Sequence, residues 1–120
     1  MRLSFLAVLV GLASPLAAQP AYVGNWAGDP AWCEFQDKIG SQTPAPIAIT
    51  IHEWLGYENS CDIVDANEFS MNGGWILTLE CFSEGEQNLE ERVLLLDGPD
   101  VLWQWWGSGE PLKFTRCEGS

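Results

Sequence analysis

The chain has 120 residues, with 17 acidic against 5 basic side chains, four cysteines and seven tryptophans. That length holds one small domain and not two. A formal charge of −12 argues against nucleic acid or an anionic membrane surface as partner, since both would repel it.

Met1-Arg2 gives a short positive end, and Leu3 to Leu16 is an apolar run broken only by Ser4, Gly11, Ser14 and Pro15. Small residues follow at Ala17 and Ala18. This is the layout of a secretory signal peptide, residues 1–18, cut after Ala18, with Ala17 and Ala21 as alternative cut points. A membrane anchor fits poorly, because 14 residues of helix span about 21 Å of a hydrocarbon core of about 30 Å. The expected product is a single periplasmic or secreted β-domain, residues 19–120, with no membrane association after cleavage. Losing Arg2 takes the formal charge from −12 to −13.

Short segments of period two follow, with turn residues between them. Gly24-Asn25-Trp26 opens a first strand that Gly28-Asp29-Pro30 ends. A short helix is expected over residues 30–38, then a polar, proline-containing link to residue 46. Ile47, Ile49 and Ile51 alternate with Ala48, Thr50 and His52, and Leu55-Gly56 interrupts them. Ser60 to Val64 is the next strand, followed by a polar loop closing in Asn72-Gly73-Gly74. Trp75 to Phe82 alternates most clearly, with Trp75, Leu77, Leu79 and Cys81 on one face. Strands over Arg92–Leu96, Val101–Trp106 and Leu112–Cys117 are separated by Asp97-Gly98-Pro99-Asp100 and Gly107-Ser108-Gly109. About seven strands and no sustained helical repeat predict an all-β fold, a small antiparallel barrel or sandwich. A barrel is favoured because closure removes exposed edges.

Cys33, Cys61, Cys81 and Cys117 are an even set in a chain with an export signal, which reads as two disulfides. Spacings of 28, 20 and 36 contain no C-x-x-C pair, and His52 is the one histidine, so a metal site is not expected. Three pairings are open to four cysteines. Strand parity favours Cys61–Cys81, which leaves Cys33–Cys117 to tie the first segment to the last strand.

Catalysis finds little support. No G-x-S-x-G elbow accompanies His52, and the cysteines have partners. Eleven Glu and six Asp make chance carboxylate pairs inevitable, but so short a chain has little room for a sugar cleft. Asp62, Asp65, Asn67 and Glu68 fail the EF-hand pattern, since Phe69 and Ile76 fall where oxygen ligands belong. A non-catalytic domain with no cofactor is expected.

The tryptophans carry the binding expectation. Alternation sends Trp103 and Trp105 to one face and Trp106 to the other, and both faces cannot be the core of a small barrel. Trp26, Trp32 and Trp54 lie near strand ends, where indoles can line a barrel mouth. Trp54 and Trp106 are the indoles expected to be exposed. Filling a small core is the plain alternative for the whole set.

Gly24-Asn25-Trp26 resembles the G-x-W signature of lipocalins. That resemblance implies a barrel with the tryptophan packed across its base, beneath an apolar ligand cavity. The early Trp32-Cys33 and closing Thr115-Arg116-Cys117 resemble small exported β-domain proteins of Gram-negative bacteria, which implies location and fold and no activity. Ser108-Gly109 with Lys113 resembles the inhibitory loop of periplasmic lysozyme inhibitors, while the alternative is a plain turn at Gly107-Ser108-Gly109. The expected function is an exported acidic binding domain that recognises a cationic protein such as a lysozyme. The alternative is a small lipocalin-like carrier of an apolar ligand. The candidate ligand-binding residues are Trp54, Trp103, Trp105, Trp106, Ser108, Gly109 and Lys113.

Overall fold

The computed structural model describes residues 19–120; the predicted signal peptide lies outside the described residues. Its strands are β1 (Gly24–Ala27), β2 (Ile47–Ile49), β3 (Glu53–Gly56), β4 (Asn59–Ser70), β5 (Gly74–Ser83), β6 (Glu86–Leu96), β7 (Val101–Trp105) and β8 (Leu112–Arg116). Each pairs antiparallel with the next, and β8 returns to β1, so the sheet closes into an eight-stranded barrel. Alternation then divides every strand into an inner and an outer set. The inner set includes Ile49, Trp54, Cys61, Leu77, Leu79, Leu94 and Leu102, all buried. A 3-10 helix occupies Pro30–Lys38, as expected. Asp29 caps it by accepting a 2.9 Å hydrogen bond from the Ala31 N–H, and Pro30 opens it.

The strand that sequence patterning missed is β3. Thr50-Ile51-His52 continues the alternation of β2 on paper, yet the chain turns there. Thr50 Oγ1 accepts from the backbone N–H of His52 at 3.2 Å and of Glu53 at 2.9 Å. His52 is therefore an exposed turn residue and not part of a strand face. Two strands also run longer than expected. The second half of β4 and the first half of β6 are mostly polar, and most of their residues, Phe69 and Leu89 included, are exposed. Their ladder partner is β5, which pairs with β4 from Ser60 to Ser70 and with β6 from Glu86 to Leu95. Hydrogen bonds hold these overhangs without a core face, so no apolar period marks them.

Cys33–Cys117 and Cys61–Cys81 are both closed, with Cα separations of 5.4 and 4.0 Å, which is the pairing that parity favoured. Cys61 and Cys81 stand opposite each other in the β4–β5 register. No cysteine is free among the described residues. Two intact disulfides belong to an oxidising compartment outside the cytoplasm. No helix among the described residues is long and apolar enough to cross a membrane.

One end of the barrel is closed. Trp26, fully buried, donates from Nε1 to the Tyr22 carbonyl at 2.9 Å, and the Tyr22 ring meets Trp75 edge-on at 5.1 Å. Arg116 lies over the Trp26 ring at 4.3 Å. Its guanidinium donates to the carbonyls of Ala21, Val23 and Pro99 at 2.6, 2.8 and 3.0 Å. Gly24 makes room for it, since a Cβ at that position would collide with Arg116 Nη1. Both named residues of the Gly24-x-Trp26 pattern thus serve one arginine stack, in which Trp26 is buried and Arg116 is partly exposed. The opposite end carries the link from β1 to β2, the β3–β4 and β5–β6 turns and the β7–β8 loop, and it is open.

Candidate functional site

Inside that open end, Arg92 and Gln104 project from β6 and β7 into what is otherwise apolar. Arg92 is in step with Leu94 on the inner face, and Gln104 is in step with Leu102 and faces Leu94 across the ladder. Both are nearly inaccessible, Arg92 at 5% and Gln104 at 2% relative exposure. Two indoles hold the guanidinium: its central carbon lies 5.1 Å from the Trp54 ring and 4.9 Å from the Trp106 ring. Arg92 Nη2 donates to Glu90 Oε2 at 2.6 Å. Arg92, Gln104 and the two indoles, with Ile47, Gly56, Tyr57, Asn59 and Phe114, line a pocket of about 230 Å³.

The pocket is incompletely satisfied. Among the described residues, Arg92 Nε and Gln104 Oε1 have no hydrogen-bond partner although both are buried. Each such omission costs about 1–3 kcal/mol. Two cation–π contacts offset part of this, at about 2 kcal/mol for the buried Trp54 and about 0.5–1 kcal/mol for the exposed Trp106. One unpaired donor and one unpaired acceptor therefore sit on side chains that line the same aromatic pocket. A group supplying the complementary pair would satisfy both.

The structure divides the sequence-predicted site residues into three sets. Trp54 and Trp106 line the pocket, and parity correctly sent Trp106 to the face opposite Trp103 and Trp105. Trp54 corrects the expectation of exposure. It is 2% exposed, because its β3 position points inward opposite Cys61 and lies beneath Arg92. Trp103, Trp105 and Lys113 lie on the outer surface, with Trp103 opposite Lys113 in the β7–β8 ladder, so none of them enters the pocket. Ser108 and Gly109 belong to the exposed β7–β8 loop, where the Gly109 carbonyl accepts from Trp105 Nε1 at 3.0 Å. Of the other indoles placed near a mouth, Trp26 is at the closed end and Trp32 is on the outer 3-10 helix.

Arg92 and Gln104 were not singled out from sequence, although a signal existed. Arg92 is one of four basic residues in 19–120 and keeps step with Leu94 and Leu96. Gln104 shares its parity with Leu102 and Trp106. A polar residue on an apolar face is the informative departure from pattern.

Compared with protein-family models, with curated proteins and with solved structures, the chain matches none of them.

On the outer surface the acidic excess has one ordered feature. Glu53, Asp62 and Glu80 stand directly opposite one another across β3, β4 and β5. Like charges in that register repel, and Gln87 Nε2 donates to the Glu80 carboxylate beside the row. Phe82 and Leu89 are exposed on the adjoining β5 and β6.

Proposed function

We propose that this protein is an exported, non-catalytic binding barrel that holds a small ligand at its open end. The observation that carries the reading is the Trp54–Arg92–Trp106 stack. Two indoles and a buried guanidinium with an unused N–H converge on a pocket that the fold leaves open. A closed base and an open mouth are what the lipocalin resemblance implies, and a signal peptide with two disulfides supports export. At about 230 Å³ the pocket is below the roughly 300–1,000 Å³ of sites for drug-sized molecules, so a fragment-sized ligand fits. Flat apolar surface from Trp54, Trp106 and Phe114 would hold its body.

Titration with phenyl-bearing fragments the size of benzyl alcohol, followed by NMR, tests this. Saturable shifts of the Trp54 and Trp106 indole N–H and the Arg92 Nε–H signals are expected, and Trp106→Ala should abolish them. Millimolar fragments that leave those signals unmoved would overturn the reading.

The row Glu53, Asp62 and Glu80 favours a second reading, recognition of a cationic protein such as a lysozyme by the outer face. Carboxylates in register steer a basic partner and raise its association rate at low salt. Binding of hen lysozyme that weakens steeply from low to physiological ionic strength would support it. No binding at low salt would remove it.

A further inference from the structure

The proposed ligand site can be assigned a chemical class, an inference that rests on the binding-barrel reading. Arg92 and Gln104 offer the mouth pocket opposite halves of a hydrogen-bond pair. Arg92 Nε has an N–H and no acceptor among the described residues, and Gln104 Oε1 has lone pairs and no donor. Both side chains are more than nine-tenths buried and line the same pocket. They come from neighbouring strands, with Gln104 facing Leu94 and Arg92 one inward position further towards the mouth.

Each simple class of head group can be weighed against this lining. A hydrocarbon would leave the buried N–H and carbonyl without partners. A cation would face the Arg92 guanidinium. An anion would find the guanidinium already engaged by Glu90 at 2.6 Å, and Gln104 Oε1 would still lack a donor. It would also approach a mouth whose turns carry Glu58 and Glu84, with Glu86 opening β6 beside them. A neutral group with an acceptor and an adjacent N–H meets all these conditions, and a carboxamide is its simplest form. We propose that the mouth pocket recognises a neutral carboxamide joined to a small flat apolar body. The carbonyl accepts from Arg92 Nε–H, the N–H donates to Gln104 Oε1, and the body lies against Trp106 and Phe114.

Four probes of one size and different head group test this directly: benzamide, benzoate, benzylammonium and ethylbenzene. Affinities are read by NMR titration of the folded, disulfide-bonded protein. Benzamide should bind at least tenfold more tightly than each of the others. Gln104→Met, which keeps the length and removes the acceptor, should bring benzamide and ethylbenzene within threefold of each other. A preference for benzoate would overturn the assignment in favour of an anion site, and equal or tighter binding of ethylbenzene would overturn it in favour of an apolar one. If none of the four moves the mouth signals, the binding-barrel reading itself fails and takes this inference with it.

Discussion

The barrel contains two arginine–tryptophan stacks, one at each end, and they are built to different standards. At the closed end Arg116 lies over Trp26 and gives its protons to three backbone carbonyls. At the open end Arg92 lies over Trp54 and Trp106, gives one hydrogen bond to Glu90 and keeps a buried Nε–H unpaired. The same pair of residue types therefore does two jobs. Arg116 closes a structure by tying three loop carbonyls to one charged side chain. Arg92 leaves a buried N–H unused, which lowers stability, and the proposed ligand would use it. Stability experiments can break this contrast without any ligand in hand.

The largest difference is expected from the disulfides. Cys33–Cys117 ties the 3-10 helix to the residue after Arg116, with a sequence separation of 84, while Cys61–Cys81 lies within the β4–β5 ladder with a separation of 20. By loop-closure entropy their removal costs about 4.5 and about 3 kcal/mol respectively. Paired Cys→Ser variants compared by urea midpoint should keep that order. A Cys61/Cys81 variant that loses more than the Cys33/Cys117 variant would mean that the mouth ladder holds the fold together.

A smaller but more pointed difference separates the arginines themselves. Arg116→Met strips the Ala21, Val23 and Pro99 carbonyls of a charged donor and should cost about 3 kcal/mol. Arg92→Met removes the buried half of a partly exposed ion pair together with an unpaired N–H, and a flexible apolar side chain fills the space between the indoles. The Glu90 side chain is 39% exposed and can turn to water once its partner is gone, so a change within about 1 kcal/mol is expected. Chemical denaturation of both variants checks this. A loss above about 2 kcal/mol for Arg92→Met would make it a structural residue like Arg116, and the functional reading of the mouth would lose its main support.

How far these ends could be read from sequence follows from what each region packs against. Strands with one face on the core announced themselves: Trp75, Leu77, Leu79 and Cys81 alternate because each points inward, and the same parity chose the disulfide partners. The overhangs of β4 and β6 were silent because neither face meets the core. The short β3 was hidden by a turn made by Thr50. At the site, indole parity brought Trp106 to the correct face, yet Arg92 and Gln104 passed as ordinary polar residues. Their importance arises when closure of the barrel brings β3, β6 and β7 around one space, which no local pattern encodes. The Gly24-x-Trp26 pattern was visible, but its physical reason, room for Arg116 from the far end of the chain, was not.

The smallest expected effect is a pH dependence confined to the closed end. Burial pushes the Tyr22 phenol up from its ordinary value of 10.0, because the packing around Trp26 and Trp75 penalises a phenolate. The folded chain thus holds this proton to higher pH than the unfolded chain does. Tyr22 contributes its full stability below pH 10, and that contribution is lost as pH rises through the raised folded value. Tyr22→Phe keeps the ring and removes the titration, so it should unfold close to wild type at pH 7 and fall less steeply above pH 10. Thermal unfolding of the two proteins across that range measures the difference in slope. Parallel curves would mean that Tyr22 ionises as freely in the barrel as in the unfolded chain, and that the closed end is as open to water as the mouth.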